Sequence, residues 1–92
     1  MENPRPDIKD VRTTLENKTG GVWSIIENDP DILSLQKNQY KLEIVWDGDF
    51  WTLNLYDFEG QHGEEAPKWA QGPMYNAKEI KKELPSFISV IE

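Results

Sequence analysis

Between Tyr40 and Tyr56 the chain alternates apolar and polar positions in two runs. Tyr40, Leu42, Ile44 and Trp46 fall on one face of the first run, with Lys41, Glu43 and Val45 on the other. In the second run, 50–56, Trp51, Leu53 and Leu55 share a face. A period of two marks half-buried strands, and Asp47-Gly48-Asp49 joins them. A two-residue loop puts both apolar sets on the same side. With Gly48-Asp49 as the loop, Trp46 faces Trp51, Ile44 faces Leu53, and Leu42 faces Leu55. A three-residue loop would pair apolar with polar residues. Asp-Gly also favours a type I′ turn.

Other segments follow different periods. Ile8, Val11 and Leu15 stand at i, i+3, i+7 and predict a helix over 7–18, with Pro6 in its first turn, Asp7 at its positive end and Gly20-Gly21 as its stop. Residues 21–27, rich in β-branched and aromatic types, predict a strand, and 28–31 a turn. Residues 32–36 fit either a second strand or one helical turn capped by Asp29. Residues 60–76 hold three Gly and two Pro without periodicity and read as a long loop. Asn76-Ala77-Lys78-Glu79 has the form of a capping box and opens a helix with Ala77, Ile80 and Leu84 on one face. Pro85 ends or kinks that helix. Phe87, Ile88 and Ile91 continue the stripe as a second short helix or a terminal strand. Because an isolated hairpin is marginal in water, its apolar face must pack on the helices. The expectation is an α+β, two-layer single domain over 1–92: an antiparallel sheet of three or four strands around the 40–56 hairpin, flanked by an N-terminal and a C-terminal helical segment, with 1–6 as a tail.

Charge changes the picture. The chain has 92 residues and a net charge of -7, and the excess is concentrated. Residues 21–65 contain ten acidic and two basic side chains, whereas 1–20 are balanced and 66–92 are net +1. An acidic region repels phosphate and attracts basic protein surfaces. The sequence has no Cys and a single histidine, His62, in a polar loop context. That removes thiolate and Cys/His metal sites and leaves no imidazole relay. The carboxylate pairs Asp29/Asp31, Asp47/Asp49, Asp57/Glu59 and Glu64/Glu65 lie in turn-forming stretches, where water keeps both members ionised. Such pairs do not suit glycoside hydrolysis, and Asp47-Gly48-Asp49 lacks the remaining ligands of a calcium loop. No phosphate-binding glycine motif occurs. Lys78, Lys81 and Lys82 form a small basic cluster, too few for stand-alone nucleic-acid binding. The sequence thus predicts no enzyme, no cofactor, no metal and no membrane contact, and the N-terminus shows no apolar leader, which fits a cytoplasmic setting.

Four Trp stand in the chain. Three belong to predicted apolar faces. Trp69 sits in the long loop and is either an interface anchor or a lid over the hydrophobic layer. In size and acidity the chain resembles the small inhibitors that mobile elements make against host defences, such as anti-CRISPR and anti-restriction proteins, and immunity proteins against nucleases. The resemblance is one of type and implies a non-enzymatic inhibitor that blocks a basic nucleic-acid-handling protein or ribonucleoprotein complex. Asp29, Asp31, Asp47, Asp49, Asp57 and Glu59 would be the phosphate-like contacts and Trp69 the apolar anchor. The alternatives are a soluble accessory subunit without mimicry, and a carbohydrate-binding module stacking sugars on Trp69 and Tyr75.

Overall fold

The computed structural model describes residues 6–59 and 67–91. Asp7 caps helix α1 (Ile8–Thr19), its carboxylate accepting the Lys9 N–H at 2.9 Å. Pro6 therefore lies before the cap, not in the first turn. Gly20 ends the helix in the left-handed region at φ 72°, and its N–H reaches the Glu16 carbonyl at 2.9 Å. Five strands follow: β1 (Ser24–Asn28), β2 (Ile32–Lys37), β3 (Tyr40–Trp46), β4 (Trp51–Asp57) and β5 (Trp69–Met74). Helix α2 (Ala77–Ile91) closes the order. Each strand pairs antiparallel with the next, so the sheet order is β1-β2-β3-β4-β5.

The central hairpin has the expected register, Trp46 opposite Trp51, Ile44 opposite Leu53 and Leu42 opposite Leu55. Its turn is of another type. Gly48 has φ 107° while Asp49 keeps a negative φ. Type I′ requires positive φ at both central residues, and here the Phe50 N–H donates to the Asp47 carboxylate.

The other departures have physical causes. The α+β class holds, but the strands number five, not three or four. Residues 32–36 are strand. The fifth strand lies within the stretch read as loop, of which 60–66, with His62, Glu64 and Glu65, fall outside the described residues. α2 runs without a break through Pro85. Proline forgoes one backbone bond there, and the buried Ile80, Leu84, Phe87 and Ile88 on both sides of it hold the helix together.

Both helices lie on one side of the sheet. α1 packs on β1, α2 on β4 and β5, and the two touch each other. A single core joins Val11, Leu15, Trp23, Leu33, Leu35, Leu42, Ile44, Trp51, Leu53, Leu55, Leu84 and Phe87 among others. Trp23 fixes the α1–β1 junction: its indole Nε1–H donates to Thr19 Oγ1 and its backbone N–H to the Glu16 carboxylate, both at 3.1 Å. Residues of opposite parity form the uncovered face. Across it run the rows Glu27–Ser34–Glu43–Asn54 and Gln36–Lys41–Tyr56. The outer strands are irregular. β1 breaks register between Ile25 and Glu27, and β5 carries Pro73 opposite a break between Trp51 and Leu53.

Candidate functional site

The meander decides where the acidic residues go. The β1–β2 turn holds Asp29 and Asp31, and the β3–β4 turn holds Asp47 and Asp49. Since Ile32 pairs with Val45, both turns project from the same end of the sheet. They are tied together directly, the Trp46 N–H donating to the Asp31 carbonyl at 2.8 Å. Each turn is also closed on itself. The Asp29 N–H donates to the Ile32 carbonyl at 2.9 Å, and Asp47 Oδ1 accepts from the N–H groups of Asp49 and Phe50, both at 3.1 Å. All four aspartates are exposed. Among the described residues, no lysine or arginine stands within ion-pair distance of Asp31, Asp47 or Asp49.

Asp57 and Glu59 do not join this group. They stand at the far end of β4, eight residues from Asp49 and thus roughly 26 Å away at the rise of an extended strand. That exceeds the screening length of about 8 Å at physiological salt. Asp57 is 6% exposed. It points to the helix-covered side, opposite Tyr40, where Lys68 pairs with its Oδ2 at 3.5 Å and the Glu59 N–H donates to its Oδ1 at 3.0 Å. The six carboxylates expected on one surface are therefore divided, four at one end and two at the other, because β4 runs the length of the sheet between them.

Trp69 also lies away from the four aspartates. It opens β5 opposite Leu55, half-buried on the helix side, with its ring 5.9 Å from that of Phe87. It covers the hydrophobic layer. Tyr75, at the other end of β5, is 56% exposed and meets Phe50 edge-on with ring centroids 6.4 Å apart. Trp69 and Tyr75 thus form no common stacking platform. The aromatic pair beside the aspartate-bearing end is Phe50 and Tyr75. Of the C-terminal lysines, Lys81 is held by Asp10 at 3.1 Å, an exposed pair of small energetic consequence.

The sequence reading passed over the uncovered face. There Ser34, fully buried, donates to Glu27 Oε1 at 2.8 Å. Lys41 Nζ lies 3.8 Å from Glu27 Oε1, 3.5 Å from Glu43 Oε2, and 5.7 Å from the centre of the Tyr56 ring. Burial holds the Tyr56 phenol above its ordinary value, and the neighbouring Glu43 carboxylate raises it further by opposing the phenolate. Lys41, Glu43, Tyr56 and Phe58 line an open hollow of about 330 Å³. A second, more apolar hollow of about 350 Å³ lies between Phe50, Thr52, Ala70, Gln71, Gly72 and Pro73. The signal for the first was the other half of the hairpin alternation, Lys41, Glu43 and Tyr56 on the side away from the core; the second needed β5, which the sequence reading took for loop.

Among the described residues, no group of three His, Asp or Glu side chains is placed to hold a metal ion. No described helix is long and apolar enough to cross a membrane. Comparison with protein-family models, with curated proteins and with solved structures gives no match.

Proposed function

We propose that this chain is a small non-enzymatic binding protein that blocks a basic, nucleic-acid-handling protein or ribonucleoprotein complex, in the manner of the anti-CRISPR, anti-restriction or nuclease-immunity inhibitors. The observation that carries the reading is the joining of two aspartate-bearing turns at one end of the sheet. Asp29, Asp31, Asp47 and Asp49 supply negative charge on a backbone fixed by hydrogen bonds, and Asp31, Asp47 and Asp49 have no neighbouring cation among the described residues. Carboxylates spaced on a rigid support attract an Arg/Lys-lined groove electrostatically and speed encounter. Asp57, Glu59 and Trp69 take no part in the contact.

The test is capture of partners from a lysate containing nucleases and polymerases, at low and high salt, with the wild-type protein and with Asp31→Lys/Asp49→Lys. The expected result is a partner retained at low salt, released at high salt, and lost from the charge-reversed protein. Equal retention by both proteins at both salt concentrations would overturn the mimicry. It would favour the second reading, an accessory subunit that docks through Phe50, Tyr75 and the apolar hollow beside them.

A further inference from the structure

We infer that the hollow lined by Lys41, Glu43, Tyr56 and Phe58 receives an arginine side chain from a basic segment of the partner. The inference rests on the reading of the partner as basic, but on different residues from the aspartate-bearing turns. The sheet face that holds the hollow is uncovered by either helix, and its volume of about 330 Å³ lies near the lower bound, roughly 300 Å³, of sites that enclose small ligands. That suits one side chain better than a free metabolite.

Charge selects the occupant. Two carboxylates, Glu27 and Glu43, share one cation, Lys41. Among the described residues one negative charge is left over, next to an aromatic wall. Both Lys41 contacts, 3.8 and 3.5 Å, are longer than a charge-assisted hydrogen bond of about 2.8 Å. The lysine is therefore loosely held between its partners. Its ammonium already lies over the Tyr56 ring at 5.7 Å, within the roughly 6 Å at which a ring face attracts a cation. The local environment thus accommodates a positive charge, supplied internally and with imperfect geometry. Tyr56 remains a neutral phenol, so its ring carries no competing role as an anion.

A guanidinium fits this environment better than an ammonium. It is planar, stacks on aromatic rings and pairs with a carboxylate through two parallel N–H bonds. Entering over Tyr56 and Phe58, it would take Glu43 in that paired geometry and leave Lys41 to Glu27. A phosphate-bearing ligand is disfavoured, because the Glu43 carboxylate lines the hollow and Glu27 stands behind Lys41.

The test is a titration of the isotope-labelled protein with an acetylated, amidated tri-arginine peptide and its tri-lysine counterpart at low salt, followed by backbone amide shifts. The tri-arginine peptide should move Lys41, Glu43, Tyr56 and Phe58 first and bind several-fold more tightly than tri-lysine. Glu43→Gln should weaken it about tenfold, the effect of one charge-assisted contact, and Tyr56→Leu should weaken it independently. Lys41→Met, which removes the resident cation, should strengthen binding, an outcome that a merely structural lysine would not produce. Shifts confined to Asp31, Asp47 and Asp49 would overturn the hollow while leaving the aspartate reading intact, and so would indifference to Lys41→Met and Glu43→Gln. Retention of tri-arginine shifts in the hollow by Asp31→Lys/Asp49→Lys, together with unchanged partner capture by that variant, would sink the aspartate reading alone. Absence of any shift with either peptide would overturn the hollow.

Discussion

The backbone N–H of Trp46 donates to the carbonyl of Asp31 at 2.8 Å, and this bond ties the β1–β2 turn to the end of β3. Like charges are thereby held close on a fixed backbone. Asp31→Asn is expected to raise the unfolding free energy at low salt by about 0.2–0.5 kcal/mol, the scale of a single exposed charge contact. The gain should fade as salt screens the repulsion. Urea denaturation at two ionic strengths measures it, and a gain independent of salt would contradict the electrostatic origin.

Phe87 lies between two tryptophans, 5.8 Å from the Trp23 ring and 5.9 Å from that of Trp69. It joins the α1–β1 corner to the first residue of β5. Phe87→Ala should cost about 3–5 kcal/mol, the range for removing a buried phenyl ring, a large part of the stability of a small domain. Tryptophan fluorescence during denaturation should show both corners loosening in one transition.

The start of α2 is held by reciprocal contacts. The Glu79 N–H donates to Asn76 Oδ1 at 2.9 Å, and the Glu79 carboxylate accepts the Tyr75 N–H at 3.1 Å. Asn76→Ala should destabilise by about 1 kcal/mol, as loss of an N-cap does. Asn76→Asp should retain most of that stability. A thermal melt of the two variants separates capping from a general intolerance of change at this site.

Tyr56 gives the fold an alkaline limit. Its folded-state pKa is raised by burial and by Glu43, so the folded protein binds the phenolic proton more tightly than the unfolded chain does. This contribution is complete below the unfolded value of about 10 and is lost as pH rises through the folded value. Tyr56→Phe should flatten that part of the alkaline decline. Denaturant midpoints across the alkaline range test it, and an unchanged slope would place the loss on other groups.

The hairpin was legible because both its strands alternate, and an even loop length is needed to put Leu42, Ile44 and Trp46 on the side of Leu55, Leu53 and Trp51. α1 was legible for the same kind of reason, an apolar stripe between Asp7 and Gly20. β5 was not. An outer strand needs few buried side chains, and in Trp69–Met74 only Met74 is fully buried while Trp69 is half-buried. Gly72 and Pro73 then read as loop. The continuity of α2 was hidden by Pro85, whose local cost is offset by tertiary burial that no local pattern contains. The aspartates were recognisable as turn formers from composition. Their meeting at one end depended on residues 32–37 being a strand, which the short segment Ile32-Leu33-Ser34-Leu35-Gln36 left open. Asp57 was misplaced because its position at the end of β4 resembles a turn aspartate, whereas the parity of the strand directs it toward the helices and Lys68.

The broken register of β1 at Ile26 and the proline in β5 have a consequence for how this molecule meets others. An open sheet has two rims along which further chains could add, and bulges and prolines at such rims obstruct that growth. Copies of this protein are thus discouraged from zipping together into ribbons. The bare side of the sheet and its tip present side chains instead of main-chain rungs.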